Sequence, residues 1–231
     1  MNFFTICFLA AFCAVQVLAY NPLDQLRASV QKSKSNVQTI MSDLKRYRNN
    51  LEYTSGNQLS NLKIQSMTNI NNFVNPALSQ IRSDVDAAKE KGKDVENCYT
   101  NAKDNLRTIS QTGFSALDQC QNNAKQILRV QLDALDAAYA TGNQYINQLD
   151  QIFLKCYTSN INQMQTCIAL QLGIVNQSIR TYENTIDTLK RDAQNGANQA
   201  NLSAMSCNND ATSTVRSGTT DVRIAASKCL N

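Results

Sequence analysis

Apolar residues recur along this chain at alternating intervals of three and four, the spacing of one face of an α-helix. Leu23, Leu26, Val30, Ser33, Val37, Ile40, Leu44, Tyr47 and Leu51 keep that spacing, with Asn21 as the cap and Pro22 at the first helical position. Ser55-Gly56-Asn57 is expected to interrupt the stripe, which resumes at Leu59, Leu62, Met67, Ile70 and Phe73. Asn75-Pro76 reads as the next boundary, because Asn caps a helix and Pro fits its first turn. A second stripe then runs from Leu78 to Cys120 and, beyond a phase shift, from Ala124 to Cys156. Gly113, Gly142 and Gly196 are places where the long helices could break.

The third stripe is a heptad. Ile168, Val175, Tyr182, Leu189 and Gly196 fill one position, and Leu172, Ile179, Ile186, Ala193, Ala200 and Cys207 fill the other. After Cys207 the frame is expected to slip by about four residues, a stutter, to Ala211, Val215, Gly218, Val222, Ala225 and Cys229. The span 210–220 is rich in Thr and Ser and would make a weak helix unaided. The fold class expected is all-α, an elongated antiparallel bundle of up-down-up, coiled-coil-like helices stapled by disulfides. It comprises an N-terminal helical arm at 20–76 and a disulfide-stapled hairpin at 77–231, folded back at 157–160. With the first arm lying against 77–130, the end at 131–195 would hold two helices alone. Tyr139, Ile146, Phe153 and Leu170 make its apolar width too great for a two-helix seam, so unless the first arm folds differently this end is expected to bury itself on a partner or a second copy, a homodimer before a ligand.

The cysteines tighten the architecture. Cys98, Cys120, Cys156, Cys167, Cys207 and Cys229 form a near-mirror arrangement, in which the outer and middle pairs share one position sum and the inner pair falls four short. Within a helical arm, neighbouring cysteines stand roughly 33 to 60 Å apart along the axis, whereas a disulfide needs Cα atoms within about 7 Å. Bridges must therefore cross between arms. Antiparallel order leaves Cys98–Cys229, Cys120–Cys207 and Cys156–Cys167. The missing four residues are about one helical turn, expected as an extra turn or short break near Asn195-Gly196. No two cysteines have zinc-ligand spacing and no histidine is present, so a metal site is not expected.

Phe3 to Ala19 is an uncharged apolar run ending in a small residue before Tyr20, which reads as a secretory signal peptide at 1–19. Cys7 and Cys13 leave with it, and six cysteines remain. The mature chain is expected to be secreted and extracellular, with no membrane span. The full sequence of 231 residues carries 22 basic and 18 acidic side chains, a formal net charge of +4. The charge is spread thinly, with no basic cluster beside an aromatic platform, so nucleic acid is not an expected partner. Without histidine, imidazole-based catalysis is excluded, and no phosphate loop or nucleophile elbow appears. Asp84/Asp86, Asp133/Asp136 and Glu183/Asp187 fit solvated helix faces better than acid/base pairs. Neither an enzyme nor a cofactor is expected. Asn176-Gln177-Ser178 and Asn201-Leu202-Ser203 are N-glycosylation sequons, and both asparagines fall off the heptad seam.

The segments Glu96-Asn97-Cys98-Tyr99, Lys155-Cys156-Tyr157-Thr158 and Gln165-Thr166-Cys167 resemble insect secreted proteins that carry the TsetseEP-type domain, a domain of unknown function. The similar region covers about 98–207; the acidic Glu-Pro repeat tail of the tsetse protein has no counterpart here. The resemblance implies an extracellular protein of gut, saliva, haemolymph or reproductive fluid, without an established activity. The function expected is a non-enzymatic interaction or structural role toward a protein or glycan partner. The alternative is a carrier of lipid or a small apolar ligand.

Overall fold

A computed structural model describes residues 22–230. Among the described residues there are three α-helices: α1 (Pro22–Glu90), α2 (Glu96–Lys155) and α3 (Ile161–Leu230). They form an up-down-up bundle joined by short turns. The expected leader at 1–19 and the Asn21 cap lie outside the described residues.

The first turn is not at Asn75-Pro76. α1 runs on through Ser55-Gly56-Asn57 and through Pro76 for 69 residues. Buried Val74, Ala77 and Ile81 continue the apolar stripe across the proline, and that burial outweighs the local breaker. Asn72 and Pro76 are both exposed, so water can take the Asn72 carbonyl that proline leaves without a donor. The chain turns instead at Gly92, whose φ of 82° is the left-handed conformation glycine tolerates. Lys93 N–H donates to the Ala88 carbonyl and Gly92 N–H to that of Lys89, a Schellman ending. The second turn falls where expected. Asn160 Oδ1 accepts from the Asn162 and Gln163 N–H groups (3.1 and 3.2 Å) and caps α3.

The chain divides into two compact units, the first from 22–45 with Ala137–Asp187 and the second from Arg46–Asp136 with 188–230. In the first unit every helix keeps a seven-residue repeat. Val30, Val37 and Leu44 are buried on α1, Ala138 and Ile152 with half-buried Tyr145 between them on α2, and Ile168, Val175 and Tyr182 on α3. In the second unit the repeat is eleven. Leu106, Leu117 and Leu128 are buried on α2, with Val95 one interval earlier in the turn before it, and Ala193, Ala204, Val215 and Ala226 are buried on α3. On α1, Ser55, Ser66 and Ala77 follow the same interval. A heptad stripe favours left-handed winding and an eleven-residue stripe right-handed winding.

This change of repeat corrects the expected frame of α3. The stripe moves at Ala193–Ala197 and not after Cys207, and it then buries Asn208, Thr219 and Ala226, with Ala225 outward. α3 is unbroken at Gly196, as α2 is at Gly113 and Gly142. The expected extra turn is therefore a shift of the buried face within a continuous helix. The two-helix end is corrected too. In the first unit α1 covers the hairpin: Leu23, Leu26 and Ile40 pack with Tyr139, Ile146 and Phe153 around a core of Val37, Leu149, Ile152 and Ile168. That removes the ground on which a homodimer was expected.

Candidate functional site

The six cysteines meet as expected. Cα–Cα distances are 5.8 Å for Cys98–Cys229, 5.6 Å for Cys120–Cys207 and 5.6 Å for Cys156–Cys167. The first two bridges join α2 to α3 in the second unit, and the third closes the hairpin of the first.

Polar contacts fix the register of α1. Ser33 Oγ donates to Asn176 Oδ1, Tyr47 Oη to the Lys190 carbonyl, and Asn201 Nδ2 to Gln58 Oε1, each pair 143 residues apart, so α1 and α3 run parallel. Against α2, the pairs Lys34–Asp150, Arg48–Asp136 and Lys63–Asp118 step in opposite directions along the two chains. At the first turn Glu96 accepts from Lys89 and from Arg82, which hold its carboxyl below the usual range.

The two sequon asparagines, Asn176 and Asn201, take part in these contacts and are half-buried. At Asn201 the amide nitrogen that a glycan would occupy is the donor to Gln58, and its Oδ1 is buried without a partner. A glycan there replaces an interhelical bond. Tyr182 is buried, donates to the Ala138 carbonyl (3.0 Å) and lies 5.4 Å from the Tyr145 ring. Burial, with smaller contributions from Tyr145 and Tyr139, pushes its hydroxyl up to about 12. These groups hold helices together.

Among the described residues there is no cluster of three or more His, Cys, Asp and Glu placed to hold a metal ion, and no helix long and apolar enough to cross a membrane. No family model, curated protein or solved structure matches this chain. Its candidate sites therefore rest on the surface alone.

Two surfaces stand out; sequence reasoning reached the first only in part, through Leu170, and missed the second. In the first unit the hairpin carries exposed Leu154, Tyr157, Ile161, Leu170 and Ile174, with Leu154 and Tyr157 each 79% exposed. No acidic residue occurs from 151 to 182. The signal was available in the sequence: these side chains stand between the seam positions of helices whose other faces are polar. In the second unit a surface groove of about 400 Å³ runs between α1 and α3 beside Pro76, with Arg216 and Arg223 on its rim. Its marker was Pro76, which reads as a boundary only when the helix is assumed to stop there.

Proposed function

We propose that this chain is an extracellular, non-enzymatic interaction protein, a disulfide-stapled bundle that offers rigid helical faces to a macromolecular partner. Three disulfides in a helical bundle accord with an oxidising compartment. The observation that carries the reading is the apolar, acid-free face of the 154–174 hairpin, where five large apolar side chains remain more than half exposed. Clusters of this kind mark contact surfaces. The cysteine-centred segments support placing the chain beside secreted proteins with a TsetseEP-type domain, and the apolar run at 1–19 supports secretion. A carrier of lipid or apolar ligand needs an enclosed apolar cavity; the grooves here are open and mixed in polarity, and no observation favours that alternative.

Cross-linking of the native protein in its own fluid, followed by mass spectrometry, tests the proposal. Cross-links from Lys155 to another macromolecule are expected. A chain that yields only internal cross-links at every concentration contradicts it.

A further inference from the structure

The groove beside Pro76 has the composition of a binding site. Asn72, Phe73 and Pro76 of α1 form one wall, and Arg216, Thr219 and Arg223 of α3 form the other. Both arginines are exposed, and neither makes a salt bridge among the described residues. The Arg216 guanidinium sits over the Phe73 ring, 5.5 Å from its centroid, which holds it at the groove without neutralising it. No acidic side chain lines this groove; the nearest one in the adjoining groove, Asp84, accepts from the Gln80 amide (2.8 Å).

Two further features point to a ligand with hydroxyl groups. Pro76 has no N–H, so the Asn72 carbonyl four residues back lacks its helical donor and is free to accept from outside. Thr219 is 5% exposed and its hydroxyl has no partner. Other threonines of these helices, among them Thr212, Thr214 and Thr220, donate to the carbonyl four residues back. The Thr219 side chain leaves that bond unmade among the residues that line the groove, its oxygen covered and unmatched, which is costly; a turn about χ1 would offer the hydroxyl to a ligand. Arg216 and Arg223 are two turns apart, about 10 Å along the axis, so a chain bearing anionic groups at intervals reaches both and a single small anion does not.

We propose that the groove between α1 and α3 at Pro76 binds an anionic saccharide, its carboxylate or sulfate groups on Arg216 and Arg223 and its hydroxyls on the Asn72 carbonyl and Thr219. The assignment rests on the extracellular interaction reading but names a different surface from the apolar hairpin. Failure of one therefore leaves the other standing.

Calorimetric titration of the purified, disulfide-intact protein tests it, using a sulfated glycosaminoglycan tetrasaccharide, an oligogalacturonate, a neutral maltooligosaccharide, a polyglutamate peptide and inorganic sulfate. Binding of at least one anionic saccharide is expected. Arg216→Gln/Arg223→Gln should weaken it by roughly tenfold or more, since both groups make charge-assisted bonds. Thr219→Val should weaken it by a smaller factor, and Arg107→Gln/Arg180→Gln, equal in charge but outside the groove, should leave it unchanged. Equal binding by the two double variants overturns the proposal, as does binding of polyglutamate or sulfate as tight as that of the saccharide, or no binding of either anionic saccharide.

Discussion

The two halves of α3 do the same task with different means. In the first unit it contributes Ile168, Leu172, Val175, Ile179, Tyr182 and Ile186 to the core. In the second it contributes Ala193, Ala197, Ala200, Ala204, Asn208, Ala211 and Thr219, relieved by Val215 and Val222. Exchanging a buried Leu or Ile for Ala forfeits about 2 kcal/mol per site, and Asn208 and Thr219 add unpartnered oxygens. Both bridges that tie α3 to α2 over a distance, Cys120–Cys207 and Cys98–Cys229, fall in this poorer half. Covalent closure stands in where side-chain burial is thin, and a richly packed half needs a single bridge at its hairpin. A thin core also permits the close helix approach seen at Gly113, where an added Cβ would fall on Val215 Cγ2.

The largest test of this contrast removes the bridges of each unit in turn. Cys120→Ala/Cys207→Ala together with Cys98→Ala/Cys229→Ala should cost more than about 4 kcal/mol, because the loops they close are long. Cys156→Ala/Cys167→Ala closes a separation of only 11 residues and should cost nearer about 3 kcal/mol. Chemical denaturation measures both, and equal losses would break the contrast.

Packing gives the next effect. A Cβ at Gly142 would meet Met41 Cγ and Sδ and the Tyr182 hydroxyl, so Gly142→Ala should destabilise by about 2 kcal/mol. At Gly196 the obstacle is the Gln131 side chain, half-buried and flexible. There an added Cβ would fall on Gln131 Cγ, which must shift, so Gly196→Ala should destabilise by a smaller amount, about 1 kcal/mol or less, because helix propensity offsets part of the strain. Thermal melts of the two variants separate the tight unit from the loose one.

The smallest effect is a pH dependence of the first unit. The Tyr182 hydroxyl is raised from 10.0 to about 12, so the fold prefers its neutral form. Its contribution is complete below pH 10 and is lost as pH rises through 12. Comparing the unfolding free energy at pH 9 and 11 should show a decline that Tyr182→Phe reduces.

Much of this was legible in the sequence, because three- and four-residue spacing and mirrored cysteines are local and periodic signals. The helices, the turn at 157–160 and all three pairings follow from them. Pro76 misled because its cost is local whereas the burial of Val74, Ala77 and Ile81 is tertiary. Ser55, Ser66, Asn208 and Thr219 hid the eleven-residue repeat, since polar residues at core positions erase the apolar mark by which a stripe is traced. The groove was invisible for the same reason, as it exists only once α1 is known to continue past Pro76.

Hydrogen exchange along α3, before and after disulfide reduction, tests the central claim most directly. In the oxidised protein, amides at 161–187 and 188–230 should both be protected. After reduction, 188–230 should open first while 168–186 keeps its protection. Equal loss along the whole helix, or earlier opening at 168–186, would contradict the claim that covalent bridges replace apolar burial in the alanine-rich half.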